Sequence, residues 1–230
     1  MHDSSKAAFF RVEGTLVRRG ALQLSAYLAA NGQGFKERLM RIGQMALAAP
    51  AARVLGSADG ALGSRISVLP LRGMSSDRIE VLAAEYFENT LKEAILPEGI
   101  ALVKRVQDEG YRAVFLAETI APVADRLAAH LRLEGPWVSN RLEMRRDEAT
   151  GALLDPVIAG HSLLTWVQAW ATENGVKLED CRAYATHAGD SSLLGRVGEP
   201  CAVNPDTLLR RTARDARWPI LDLDSLGGRV

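Results

Sequence analysis

The chain has 230 residues, of which 47% are hydrophobic, so we expect a packed core rather than disorder. Its 28 lysines and arginines balance its 28 acidic residues, which argues against a general nucleic-acid binder, because such proteins need a basic excess. The chain begins without an apolar core of signal-peptide length and contains no run of ~20 apolar residues, so we expect a cytoplasmic protein without a transmembrane segment.

The first structural signal is the apolar run Ala7–Phe10, which is followed by a Gly14-Thr15 turn and then by a helical pattern. A short apolar run that ends in a glycine-containing turn is typical of a buried strand. In open α/β sheets, ligands bind at the carboxyl ends of such strands. The sequence therefore predicts a first strand whose end opens into a candidate site.

The next region is helical in pattern. Apolar residues recur at helical spacing over 22–49, and Asp77 followed by Glu80 is typical of a helix beginning, with the helix running to about Ala94. We interpret this region as an inserted helical cap. The predicted domains are a core formed by residues 1–20 and 96–230 and a cap formed by residues 21–95.

The rest of the chain alternates between strands and helices, which implies right-handed parallel crossovers. The exception is a β-hairpin, predicted from the strand-like runs Trp137–Met144 and Leu153–Ile158 around the polar stretch Arg145–Gly151. Cys181 and Cys201 lie in apolar segments, and we expect buried, reduced thiols. Further helices are predicted at 100–109, 120–131, 162–174, 191–197 and 207–216, and strands at 113–116, 182–185, 201–203 and 219–221.

Several motifs together carry a resemblance to a known family. The most specific is the run Glu199–Asp206, supported by Ala183-Tyr184, Trp218–Leu221 and Pro97–Gly99. With the opening strand, they resemble the phosphoserine-phosphatase-like branch of the haloacid dehalogenase (HAD) superfamily over Ala7 to Leu221. The resemblance implies an α/β fold: a doubly wound, parallel-sheet, Rossmann-like core with an inserted α-helical cap.

The resemblance also implies a chemistry. The family opens with Asp-x-Asp-Gly-Thr, in which the first Asp takes the phosphoryl group and the second is the general acid/base. A Ser or Thr and a Lys hold the phosphate, and further Asp residues bind Mg²⁺.

This chain departs from that pattern at nearly every position. Arg11 stands at the nucleophile position, and Glu13 keeps a carboxylate at the acid/base position. The hydroxyl position is Ala117, with Thr119 two residues later as a stand-in, and the lysine position falls near Leu163. The first metal Asp is Thr186, and the second, Asp190, is retained.

These departures favour a catalytically inactive pseudophosphatase that acts as a binding or scaffold protein. Arginine stays protonated and cannot act as a nucleophile, and its charge opposes a metal ion, so no cofactor is expected. We hypothesise that Arg11 replaces the charge of the metal and pairs with Asp190, Glu13 or both.

The alternative is an active phosphomonoester hydrolase with relocated chemistry, in which a histidine such as His161 or His187 does acid/base work and Glu13 and Asp190 hold Mg²⁺. Another interpretation is a site that binds a phosphate- or carboxylate-bearing small molecule without cleaving it. A third is a protein partner on an apolar cap surface. The ligand-binding candidates are Arg11, Glu13, Thr119, His187 and Asp190.

Overall fold

The protein is described by a computed structural model that covers residues 6–18, 27 and 60–223. In this part of the chain, the centre is a parallel six-stranded sheet in the order β3-β2-β1-β6-β7-β8, and β4 and β5 form a separate antiparallel hairpin. The strands are β1 Ala7–Arg11, β2 Arg112–Ile120, β3 Trp137–Asn140, β4 Leu142–Arg145, β5 Glu148–Leu153, β6 Arg182–Ala185, β7 Glu199–Val203 and β8 Ile220–Leu221.

Helices cover both faces of the sheet. Strand β1 is buried along its whole length because it packs on both sides: Phe10 stacks on Tyr184 on one face, and Phe9 contacts Trp170 edge-on on the other. This explains why β1 is a continuous apolar run rather than an alternating one. The α-helices within 60–223 are α1 Gly60–Ser67, α2 Ser76–Tyr86, α3 Pro97–Asp108, α4 Ala121–Leu131, α5 Gly160–Glu173, α6 Ser191–Leu194 and α7 Thr207–Asp215.

Strand register brings three chain segments to one edge of the sheet. Phe10 of β1 pairs with Phe115 of β2 and with Tyr184 of β6, all in parallel. Because parallel strands end at the same edge, residues 11–13 meet the ends of β2 and β6 there. This is the edge that the sequence predicted for the candidate site.

The hairpin differs from its prediction. Trp137–Asn140 belongs to the central sheet, and the arms of the hairpin are β4 and β5. They are joined at Arg146 and Asp147, whose φ angles of 52° and 65° suit a tight two-residue hairpin turn. The prediction that 153–158 is a strand was wrong, since the alternating burial of β5 ends at Leu153.

Helix boundaries also shift. Ser75, rather than Asp77, caps α2, and its Oγ accepts a hydrogen bond from the Arg78 N–H at 3.3 Å. Helix α6 ends at Leu194 and not at residue 197, and Gly195 is its C-cap residue. Apart from Tyr27, the helix predicted at 22–49 lies outside the described residues.

Helix α3 holds the loop that follows β1. A Cβ atom on Gly99 would lie 1.8 Å from the backbone oxygen of Thr15, so the helix and the loop meet at backbone distance. The Leu96 N–H also donates to the Leu16 oxygen at 2.8 Å. Only glycine allows this approach, and it fixes the loop that carries the site.

The remaining sequence predictions concern the cysteines and the membrane. Cys181 and Cys201 are both buried and are not joined by a disulfide. Among the described residues, no helix is long and apolar enough to cross a membrane.

Candidate functional site

The side chain of Arg11, at the end of β1, is 1% exposed and lies at the centre of the candidate site. Its Nη2 donates to Glu118 Oε2 at 2.7 Å, and its Nη1 donates to the backbone oxygen of Ile158 at 2.9 Å. Its Nε lies 3.2 Å from Asp190 Oδ2, at an orientation outside hydrogen-bond geometry, so this contact is an ion pair. The guanidinium therefore contacts an oxygen atom on each of three sides.

Glu118 is the residue of the site that sequence reasoning missed. It lies near the end of β2, between Ala117 and Thr119, which were the candidates at this position. Its Oε1 accepts a hydrogen bond from Ser64 Oγ at 2.6 Å, and its backbone oxygen accepts one from Asn140 Nδ2 at 2.5 Å. The one available signal is an acidic residue that directly follows the apolar run of β2.

Glu13 does not take the role of partner to Arg11. It is 6% exposed, and its carboxylate accepts the backbone N–H groups of Glu118 and Thr119, both at 2.9 Å. Thr186 Oγ1 donates to the backbone oxygen of Glu13 at 3.0 Å. Burial raises the pKa of Glu13, and the charge of Arg11 opposes that rise.

A histidine–aspartate pair borders the cluster. His187 Nδ1 lies 3.5 Å from Asp206 Oδ2, and Asp206 also accepts the N–H groups of Ala188 and Leu209, at 3.0 and 2.7 Å. Burial would raise the pKa of Asp206, but the hydrogen bonds it accepts hold this pKa at about 2. Burial would lower the pKa of His187, but the bond to Asp206 and the negative charges of Glu118 and Asp190 together raise this pKa.

At this site the Arg11 guanidinium interacts with three acidic side chains. Burial would lower the pKa of Arg11, but Asp190, Glu118 and Glu13 raise it, so the guanidinium stays charged. Burial raises the pKa of Asp190, and the nearby charges of Arg11 and His187 oppose that rise without cancelling it. Glu118, Asp190 and Glu13 therefore surround the Arg11 guanidinium with acidic side chains, which disfavours an anionic ligand.

The other predicted residues lie in three different environments. Ala117 is buried in β2, and Leu163 is fully buried in the core on α5, so neither supplies a polar group. His161 is exposed on the first turn of α5. Thr119 lines, with Glu13, a cavity of about 20 Å³, which is room for one water molecule.

The divalent metal implied by the family resemblance does not fit these residues. The nitrogens of Arg11 lie against the oxygens of Glu118 and Asp190, where a cation would need to bind. Thr186, at the first metal position, already donates its hydroxyl within the protein. In the part of the chain that the structure describes, no three His, Cys, Asp or Glu side chains are grouped to hold a metal.

Comparisons with known proteins agree with this fold. The sequence profile of a family described as haloacid dehalogenase-like hydrolases matches residues 8–194. A Mycobacterium tuberculosis protein named phosphoserine phosphatase SerB1 is 28% identical over 224 residues, which is 96% of this chain and 71% of that protein.

Two solved structures are also similar. A Bordetella pertussis protein of unknown function has a TM-score of 0.78 at 19% identity, covering 95% of this chain and 98% of that one. A substrate-bound phosphoserine phosphatase complex has a TM-score of 0.67 at 18% identity, covering 96% of each chain. At this level of identity, the likeness concerns the fold.

Proposed function

Because the chain belongs to the haloacid dehalogenase-like hydrolase family, we propose that it is a phosphatase-like member without catalytic activity, retained as a binding or scaffold protein. The observation that carries this proposal is the buried guanidinium of Arg11, held by Glu118 and Asp190 at the nucleophile position. The family reaction begins there with attack by a carboxylate. A protonated guanidinium has no electron pair to offer to phosphorus.

Two further features support inactivity. Ala117 and Leu163 cannot donate hydrogen bonds from their side chains, so the two positions that hold the phosphate in the family are apolar here. Glu13 keeps the acid/base carboxylate, but it is committed to two backbone N–H groups. Restoring one residue would therefore not restore the reaction.

We propose a protein partner, rather than a phosphate- or carboxylate-bearing small molecule at Arg11. An anion would have to displace Glu118 or Asp190 from the guanidinium and then lie close to the remaining carboxylates. Both steps oppose binding. We also propose that residues 21–95 form an inserted cap.

The test is a phosphatase assay in Mg²⁺ with phosphoserine and p-nitrophenyl phosphate, run on the wild type and on Arg11→Asp. We expect no Mg²⁺-dependent turnover by either protein, because the phosphate-holding positions stay apolar in the variant. An Arg11→Ala preparation is the matched control for contaminating phosphatases.

Metal-dependent turnover by the wild type above that control would overturn the proposal. It would support the alternative of an active phosphomonoester hydrolase with atypical site residues. Glu13→Gln and Asp190→Asn would then be the next variants, since they carry the carboxylates retained at family positions.

A further inference from the structure

We infer that the guanidinium of Arg11 is the resident cation of this site, and that Glu118, Asp190 and the backbone oxygen of Ile158 form its ligand cage. The inference rests on the proposed function, because it takes the site to be non-catalytic. It goes further by stating that the oxygen cage is itself competent to bind a cation. The test is whether the cage accepts a free cation once the arginine side chain is removed.

The first support is the geometry of the cage. The oxygens of Glu118, Ile158 and Asp190 lie 2.7, 2.9 and 3.2 Å from three different nitrogens of Arg11. Two carboxylate oxygens and one carbonyl oxygen are the donor types that hard divalent cations take from proteins, with water completing the shell.

The second support is that two of the three cage ligands are anchored independently of Arg11. Glu118 is held by Ser64 through its side chain and by Asn140 through its backbone oxygen. Asn140, which is 1% exposed, also accepts the Ile158 N–H at 2.7 Å, so it links two of the three ligands. We therefore expect the oxygens of Glu118 and Ile158 to stay near their positions when the arginine side chain is truncated.

The third support is charge. Truncation of Arg11 would leave Glu118 and Asp190 facing a buried space without a counter-ion, and Glu13 lies in the same electrostatic cluster. Leaving one side of a buried ion pair uncompensated is strongly destabilising. A cation that enters the space would remove that penalty and would stabilise the fold by mass action.

The experiment follows the melting temperature of Arg11→Ala with and without added cations. We expect Tm to fall by roughly 6 to 20 °C relative to the wild type. We then expect a rise of about 5 °C in millimolar Mg²⁺ or Ca²⁺ when the ion is well above its Kd. Millimolar guanidinium chloride should also raise Tm, because it supplies the missing group as a free ion.

Three controls test whether the rise in Tm is specific to the oxygen cage. Wild-type Tm should not change with Mg²⁺, because Arg11 fills the cage. Arg126→Ala, which removes a surface arginine paired with Glu80 at 2.7 Å, should show no cation response. Adding Asp190→Asn to Arg11→Ala should abolish the rise in Tm.

A rise that NaCl reproduces at equal ionic strength, or the absence of any rise, would overturn the inference. If Arg11→Ala does not fold, Arg11→Lys and Arg11→Gln replace it: lysine restores a charge and glutamine does not. A Tm for Arg11→Gln equal to or above that of Arg11→Lys would also refute the resident cation. Failed rescue alongside an inactive wild type contradicts this inference alone, whereas wild-type turnover contradicts the proposed function.

Discussion

At the residue scale, the site depends on polar groups that satisfy one another out of water. Arg11 is fully buried, an arrangement that is costly unless its donors find acceptors. Two of its nitrogens donate hydrogen bonds to oxygens, and Nε contributes an ion pair. The carboxylate of Glu118 accepts hydrogen bonds from both Arg11 and Ser64.

His187 supplies a test of the electrostatics beside this cluster. Its pKa is raised by Asp206, and a group with a raised folded pKa stabilises the protein below its ordinary pKa of about 6.5. That contribution is lost as pH rises through the folded pKa. We therefore expect His187→Gln to lower the free energy of unfolding more at pH 6 than at pH 9, as measured by urea denaturation.

The partner residue provides the control for this pH effect. In an Asp206→Asn background the main cause of the raised pKa is absent, so the pH dependence of the His187→Gln effect should shrink. An unchanged difference between pH 6 and pH 9 in that background would show that Asp206 is not responsible.

At the scale of elements, the site depends on how closely α3 approaches the loop after β1. That loop follows Arg11, and its position is set by backbone contact at Gly99 and by the Leu96–Leu16 hydrogen bond. The requirement for glycine at position 99 comes from the helix and the loop together, because the helix alone would tolerate a larger residue there.

Gly99→Ala should therefore be strongly destabilising. Its Cβ would lie 1.8 Å from the Thr15 oxygen, so the helix or the loop must move, and we expect a loss of about 3 kcal/mol in urea denaturation. Gly195→Ala is the matched control, because the nearest atom to its Cβ, the Ser191 oxygen, is 3.4 Å away. Equal effects from the two substitutions would contradict the close approach.

At the scale of the whole molecule, the sequence predicted what depends on local pattern. The apolar run Ala7–Phe10 indicated a buried strand, and the alternation of strands and helices predicted the parallel sheet. The family resemblance brought Arg11 and Asp190 to one place, and the structure has them 3.2 Å apart.

What the sequence left open depends on pairing across the sheet or on backbone atoms. Glu118 reaches Arg11 because of the register between β1 and β2, which no single segment encodes. The contact from Ile158 is a backbone oxygen, so residue identity does not indicate it. The hairpin was misplaced because its turn uses Arg146 and Asp147 at positive φ instead of the glycine or asparagine that usually marks such turns.

The α1 helix is coupled to the sheet through the site. Ser64, on α1 and within the proposed cap, donates to Glu118, and Arg65 pairs with Asp155 at 2.5 Å. We expect Ser64→Ala to speed amide hydrogen exchange in α1, because the bond to Glu118 opposes local opening.

The control for this effect is Thr172→Ala, which removes a hydroxyl bonded only to the backbone of its own helix, at the Gln168 oxygen 2.9 Å away. It should leave exchange in α1 unchanged. Exchange in α1 that is the same in Ser64→Ala and in the wild type would contradict the coupling.

A cation that is part of the polypeptide differs from a bound ion in its dependence on concentration. A diffusible ion stabilises a fold only to the extent that its free concentration exceeds its Kd, so dilution or a chelator removes its contribution. The guanidinium of Arg11 is part of the polypeptide and is buried inside the fold. Neither dilution nor a chelator can therefore remove it. The charge at this edge of the sheet is therefore supplied at synthesis and does not vary with the ions of the surrounding solution.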